Sequence, residues 1–460
     1  MKRLLVIAMI LAATARHAAA QLDGSVVNFA HLRHLMERIV FSGDTVSIVH
    51  VYSNYPDFSW VDAKESGPEG IACVDDAARA AVVFLRHYEL TGDKASLADA
   101  RSLLKFVGAM EADDGQFYNF VYSDHTINQE GKTSYKSFGW WAVRGFWSLS
   151  MGYRIFRPVD SAFAKWLQRG VERALPNVAK LLVEYPKERS TDGLRIPEWL
   201  IYKSGADVSS ELLMGLTEYY RATGDAKVRS EMHEVADGLM AMQDGGFARY
   251  PYGLHRSWET MWHMWGNGQS EALASAGMVL KDSSMIRSAE REAKGFYTRL
   301  LINGYMKELD IARPDSAGSL EQIAYGIRPI ALGLLRLSEA TDDALYAEMA
   351  GLAASWFFGN NIAGARMYDP DHGRCYDGIS DSATVNRNSG AESTIEALQC
   401  LMEVERNPSA RKYMRDMKAS HSAANGVLEA TFRAPSGEHS TLILDPFSGS
   451  VVLREGTQGK

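Results

Sequence analysis

The sequence predicts an all-α protein, an (α/α)6 toroid with a short β-hairpin at its C-terminal end, and three observations predict it. A phrase recurs at helix ends: Tyr88 to Asp93 reads Y-E-L-T-G-D, Tyr220 to Asp225 reads Y-R-A-T-G-D, and Leu337 to Asp343 ends in A-T-D-D. Helical segments alternate between one-faced and almost wholly apolar. The links between them are of two kinds, short ones at the recurring phrase and long ones rich in aromatic and charged residues.

The intervals Thr91 to Thr223 and Thr223 to Thr341 are 132 and 118 residues, each with room for two helical hairpins. Three such intervals imply six hairpins. A matching loop follows the first two copies, Asp114 to Phe117 and Asp244 to Phe247.

The chain opens on Lys2 and Arg3, an apolar run from Leu4 to Ala13, and Ala18 to Ala20 before Gln21. This pattern predicts a signal peptide over residues 1–20 and a secreted or periplasmic protein. The run is too short to anchor in a membrane, and no later stretch is long enough to span one. The whole chain carries a formal charge of −8, from 49 basic and 57 acidic residues. An acidic balance of this kind argues against nucleic acid or an anionic membrane surface as partner. Cys73, Cys375 and Cys400 are too few for a disulfide scaffold and allow one bridge at most.

Residues 21–425 are expected to form the toroid. Its first inner helix begins near Gly70 to Ala80, where Asp75 and Asp76 precede a run of Ala, Val, Phe and Leu. Leu97, Ala100, Leu104 and Val107 repeat with helical spacing on one face, as an outer helix should. Trp140 to Leu149 is apolar nearly all round and reads as an inner helix. Leu212 to Tyr220, Glu271 to Leu280, Ile323 to Leu337 and Glu392 to Met402 repeat that type, and Pro329 should kink the fifth. An open solenoid is the alternative, but its inner helices would leave apolar ends exposed. Residues 426–460, with Thr441 to Leu444 and Ser450 to Leu453 separated by Asp-Pro and Gly, predict a β-hairpin tail packed on the toroid.

All long links gather on one face of such a ring, and long connections are where function concentrates. They supply Tyr52 and Trp60, then Asn119, Tyr135 and Lys136, then Glu198 and Trp199. Further on come Tyr250, His255, Trp258, Glu259 and Trp262, then Arg366, Tyr368, Asn386 and Asn388. Flat rings among carboxylates and Asn or Arg donors suit a carbohydrate, whose C–H faces stack on aromatics while its hydroxyls take directional hydrogen bonds. Large aromatics that only pack the loops against the rim are the plainer reading of any one of them.

The candidate acids are Glu392, Asp76 and Asp75. Each has a structural alternative, since Ser389 and Glu392 fit a capping box and acids in a first turn answer the helix dipole. Ring closure makes the first and sixth inner helices neighbours, so one Asp would face Glu392 across the cavity as base and acid of an inverting glycosidase. The same adjacency brings Cys73 near Cys375, where a bridge is possible. Asp369 to Asp377 has acidic spacing that could hold Ca²⁺ but lacks the turn Gly and terminal Glu of an EF-hand loop. His255 and His263 do not form an H-E-x-x-H pair, and neither G-x-S-x-G nor a P-loop occurs. No metal or cofactor is expected.

Four phrases, C-V-D-D-A-A-R-A from Cys73, D-G-Q-F-Y-N-F from Asp114, Y-D-P-D-H-G-R-C-Y-D-G from Tyr368 and N-R-N-S-G-A-E-S-T from Asn386, resemble an uncharacterised family of bacterial six-hairpin, glycosidase-like proteins. A similar helical domain occurs fused to some glycosyltransferases. More remotely, the early acid pair and the late Glu resemble family 9 glycoside hydrolases, which implies that Asp75 and Asp76 hold the water and Glu392 protonates the leaving oxygen. In that family the two acids are separated by two residues, whereas here they are adjacent. The expected function is an exported glycoside hydrolase acting on an oligo- or polysaccharide, by inversion. A polysaccharide lyase, with Tyr135, His255 or His263 as base, and a non-catalytic glycan-binding protein are the alternatives.

Overall fold

The computed structural model describes residues 24–456. The expected leader lies outside them. Six inner helices form a closed ring: α2 (Val74–Thr91), α4 (Trp140–Phe156), α6 (Ala206–Thr223), α8 (Gln269–Leu280), α11 (Ala324–Thr341) and α13 (Ala391–Arg406). Each packs on the next, and α13 packs back on α2. The outer layer is α3 (Lys94–Ala109), α5 (Ser161–Leu181), α7 (Ala226–Ala241), α9 (Ser283–Glu292) with α10 (Thr298–Asn303), and α12 (Ala344–Ala354). In the sixth outer place stand two short helices, α1 (Ala30–Leu35) and α14 (Pro408–Tyr413), both against α13. α11 runs unbroken through Pro329.

The recurring phrase is a pair of caps. Gly92 and Gly224 end α2 and α6 in the left-handed conformation, at φ 76° and 67°, which glycine adopts without a Cβ clash. The next residue, Asp93 or Asp225, then accepts the first free N–H groups of the outer helix, Ala95 and Ser96 or Lys227 and Val228. Four more outer helices start this way: Asp160, Asp282, Asp343 and Asn407 cap α5, α9, α12 and α14. Only three of these six turns carry the Thr that makes the phrase visible in the sequence.

On the opposite face the long links are stitched into a rim by short ladders. Cys73 pairs with Phe120, His263 with Glu308, and Gln322 with Ile379. An antiparallel hairpin, β1 (Met36–Phe41) and β2 (Asp44–Val49), lies on α2 and α3.

The C-terminal tail is larger than expected. It is a four-stranded antiparallel meander, β3 (Met417–Ala424), β4 (Val427–Arg433), β5 (His439–Asp445) and β6 (Ser450–Glu455), and it starts nine residues before the predicted boundary at 426. Ala430, Phe432, Leu442 and Leu444 are its buried face, turned to the outer helices α10 and α12. The strand from Met417 is almost wholly exposed and polar, which is why it shows no hydrophobic alternation.

Replacing one outer-helix cap should be costly in proportion to a single hydrogen-bonding site. Asp225→Ala is expected to destabilise the protein by about 1 kcal/mol, and Asp225→Asn by much less, read as a shift in the urea unfolding midpoint.

Candidate active site

The inner helices all begin on the long-link face, and most carry a charged side chain about one turn from that end: Arg79, Arg144, Glu211, Arg328 and Glu396, with Glu271 in the first turn of α8. Their neighbours are otherwise apolar, so these groups are buried and must satisfy one another. Arg79 gathers four carboxylates. Its Nη2 lies 2.8 Å from Asp76 Oδ1 and 3.0 Å from Asp75 Oδ1, and its Nη1 2.9 Å from Glu396 Oε1. Both terminal nitrogens reach Glu392 Oε2 at 3.2 Å. Arg144 bonds Asp75, the hydroxyl of Tyr325, and Glu211 at 2.7 Å. Arg328 completes the belt between Glu396 at 2.7 Å and Glu271 at 2.6 Å. The Tyr325 ring lies 5.3 Å from the Arg79 guanidinium and 5.2 Å from that of Arg144.

Above this floor opens a cavity in two lobes. The first, about 760 Å³, is lined by Asp75, Asp76, Arg79 and Glu392 with Tyr52, Asn119, Asn386, Asn388, Trp140 and Trp141 among its walls. The second, about 550 Å³, is lined by Arg144, Tyr202, Asp207, Trp258 and His263. Trp140, Trp265 and Tyr325 belong to both.

The acids differ in state because their surroundings differ. Burial pushes Glu392 up to about 7, against the pull of Arg79 and with Asp76 adding to the rise. Its side chain is nevertheless 42% exposed to the cavity space. Burial works to raise Asp75 as well, but Arg144 and Arg79 together hold it below the usual carboxylate range. Asp76 is raised by burial, with Arg79 opposing. It also accepts from the Cys73 thiol, and its side chain is 4% exposed against 19% for Asp75. The 100° step between adjacent helix positions thus turns Asp75 to the cavity and Asp76 behind it. Burial pushes Asp207 up to about 8, and it holds His263 below the usual imidazole value.

Glu392 does not close a capping box. The start of α13 is held from outside, where Asp377 Oδ1 accepts from Gly390 N at 2.7 Å and Ser393 Oγ at 3.0 Å. Asp75 Oδ1 and Glu392 Oε2 both reach Arg79 Nη2, at 3.0 Å and 3.2 Å, so the two carboxyls share one guanidinium.

Of the residues expected to bind substrate, the first lobe brings together Tyr52, Asn119, Asn386 and Asn388, and the second has Trp258. Tyr135 stands edge-on to Trp141 and is exposed. The others lie outside both lobes. His255 is sealed in the core between Glu292 at 2.7 Å and Ser288 at 2.9 Å. Trp262 packs on Phe296, Trp199 donates to the Glu234 carbonyl, and Tyr368 donates to that of Val26, all three buried. Trp60 stacks on His50 at 3.8 Å, and Tyr250 stands exposed against Tyr252. Lys136 pairs with Asp114, Glu198 with Lys187, and Glu259 with Arg189. Arg366 is exposed on the surface. Cys73 and Cys375 are free thiols, not a bridge: the Cys73 sulfur caps α2 by accepting from Asp76 N at 3.4 Å.

Arg144, Asp207, Glu211, Tyr325 and Arg328 were not singled out in the sequence. The signal that finds Arg144, Glu211 and Arg328 is a charge about one turn into a largely apolar helix, repeated from helix to helix, whereas Asp207 and Tyr325 stand at helix starts and carry no such signal.

No family model and no curated protein matches this sequence. Solved structures do. A sugar epimerase from a ruminal bacterium superposes with a TM-score of 0.57 at 13% identity, covering 85% of this chain and 98% of its own. Cellobiose 2-epimerase from Bacillus thermoamylovorans gives 0.55 at 14% identity, with 83% and 96% covered. The family 9 endoglucanase J30 gives 0.46 at 15% identity, with 82% and 78% covered. The chain has the six-hairpin glycosidase-like toroid fold that its sequence predicts. Among the described residues no helix is long and apolar enough to cross a membrane.

Removing the shared cation tests the floor. Arg79→Met leaves four carboxyls without their common partner and should destabilise the protein by about 3–5 kcal/mol near neutral pH. Without Arg79 the folded-state pKa values of Glu392 and Asp76, already raised by burial against its pull, rise further above their unfolded values. The remaining stability is then greatest at low pH and is lost as pH rises through the folded values. The melting-temperature deficit relative to wild type should therefore be larger at about pH 8 than at about pH 5.

Proposed function

We propose that the protein is an exported glycoside hydrolase acting on an oligo- or polysaccharide without acidic sugars. Glu392 is its general acid and Asp75 its ionised carboxylate, with Asp76 behind Asp75. The observation that carries this reading is a carboxyl near neutral pKa and an ionised one on the same guanidinium, at the floor of an aromatic-walled cavity. Environments that push two acids apart in this way assign the donor and its partner. Export rests on the leader-like first twenty residues.

The absence of acidic sugars follows from the arginines. Both that line the lobes are bonded to carboxylates, which leaves neither to neutralise a uronate and disfavours a lyase. The glycan-binding alternative treats the acids as caps, yet the cap of α13 is Asp377. Retention and inversion are the two stereochemical outcomes open to such an acid pair. The anomer formed first, read by proton NMR in the opening minutes of reaction, decides between them.

A second reading is sugar epimerisation or isomerisation. His263, kept neutral by burial in the second lobe, would be the base. The two superposed epimerases lend it a precedent on this fold. Hydrolysis of a disaccharide adds one water to the product mass, whereas epimerisation leaves the mass unchanged and takes up deuterium from D₂O.

Glu392→Gln is expected to lower kcat by about 10²–10⁴ while the melting temperature and sugar affinity stay close to wild type. Because the donor must hold its proton, wild-type turnover should fall as pH rises through about 7. Reducing sugar should appear without absorbance near 235 nm. Near-normal turnover by the variant would remove Glu392 from the acid role.

A further inference from the structure

The proposed acid and its partner both lie in the first lobe, which leaves the second without a part in the reaction. That lobe is nonetheless a built cavity. Its walls are largely aromatic, from Trp140, Trp258, Trp265, Tyr202 and Tyr325. Two glycines let those walls close in: a Cβ on Gly139 would fall 1.9 Å from the Tyr202 hydroxyl, and one on Gly266 would fall 2.8 Å from the Trp140 ring and 3.1 Å from the Tyr325 hydroxyl.

One polar group in its lining lacks the partner that its chemistry requires. Asp207 is 4% exposed and accepts only from the N–H of its own neighbour Val208, at 2.7 Å. No basic side chain pairs with it, so burial keeps it protonated at neutral pH and its O–H is a donor. A buried carboxyl donor without an acceptor, set among flat rings, calls for a ligand with hydroxyl oxygens and apolar C–H faces. The lobe's one guanidinium, Arg144, is committed to Asp75 and Glu211, and His263 is neutral, so an anionic ligand would find no free cation there.

We propose that the second lobe is a separate subsite for an uncharged sugar, so that the substrate lies across Trp140, Tyr325 and Trp265 with at least one unit in each lobe. Trp258 stacks on the unit in the second lobe, and Asp207 donates a hydrogen bond to it. This rests on the glycosidase reading and extends it. Asp207 is here a binding residue, not the acid of the reaction.

The test uses the full chain carrying Glu392→Gln, so that nothing is consumed, titrated by calorimetry and tryptophan fluorescence at neutral pH. The probes are glucose, mannose, galactose and N-acetylglucosamine, together with the α- and β-linked homodisaccharides of each. At least one disaccharide should bind about tenfold or more tightly than its own monosaccharide. Trp258→Ala, which alters only the second lobe, should bring that ratio close to one while monosaccharide affinity changes by less than about twofold. Asp207→Leu, at a carboxyl with no hydrogen bond to another side chain, is the second variant and should reduce the same preference, with circular dichroism checking that each is folded. Sugar binding with no disaccharide preference, or a preference that survives both variants, overturns the second subsite and leaves the hydrolase reading standing. Failure of every probe to bind overturns the hydrolase reading together with the subsite.

Discussion

The structure depends on a buried ionic belt that cannot be satisfied locally. Arg79, Arg144 and Arg328 stand on three different inner helices, and the carboxylates they bind come from α2, α6, α8 and α13. Taking such charges out of water costs several kcal/mol each unless they are paired and hydrogen-bonded. No one hairpin of this toroid holds a balanced set. The ring has to close for the belt to be complete, and closure sets α13 with Glu392 and Glu396 against α2 with Arg79. The contact that joins the first inner helix to the last is therefore the one that assembles the candidate site.

The belt is also unbalanced, and the imbalance has chemical consequences. Asp75, Asp76, Asp207, Glu211, Glu271, Glu392 and Glu396 face three guanidiniums. Part of the excess is offset by the helices themselves, since all six inner helices turn their N-terminal ends, with their partial positive charge, toward this floor. The rest is met by retained protons. Asp75 and Glu396, the acids best surrounded by arginine, are held ionised. Glu392 and Asp207, which face the cavity, are pushed up to about 7 and about 8. Proton-bearing acids at the cavity wall thus follow from the same electrostatics that holds the ring together.

What could be read in the sequence was what repeats locally. The Thr-Gly-Asp phrase marks a left-handed cap followed by an Asp cap, a signal carried within six residues, and apolar faces separate inner from outer helices. Ring closure and the pairing of α2 with α13 followed from counting hairpins. Side-chain direction could not be read. Trp199, Trp262, His255 and Tyr368 come from long links on the same face as Trp258 and Tyr52, yet they turn into the core, because a loop on the rim must be packed as well as functional. The Ser389–Glu392 capping box failed for a related reason: the acceptor comes from Asp377, thirteen residues earlier in the chain. Arg144 and Arg328 passed unnoticed because one charge in an apolar helix does not disturb its periodicity, although its recurrence from helix to helix was visible.

The adjacency of Asp75 and Asp76, the feature that departs from the family 9 pattern, has a structural account. Asp76 faces back to the Cys73 thiol and Arg79, fixing the start of α2. Asp75 points the other way, to Arg79 and Arg144 at once. Arg144 in turn lines the second lobe and bonds Tyr325, which belongs to both. A substrate lying across the lobes would therefore pass over the chain Glu392, Arg79, Asp75, Arg144, Tyr325. Charge developing at the boundary would be felt by an ionised carboxylate whose position two guanidiniums already hold, so little reorganisation would be needed as the reaction proceeds. The two adjacent acids thus divide two positions that a single one could not hold: Asp76 is turned back to the start of α2, and Asp75 to the cavity.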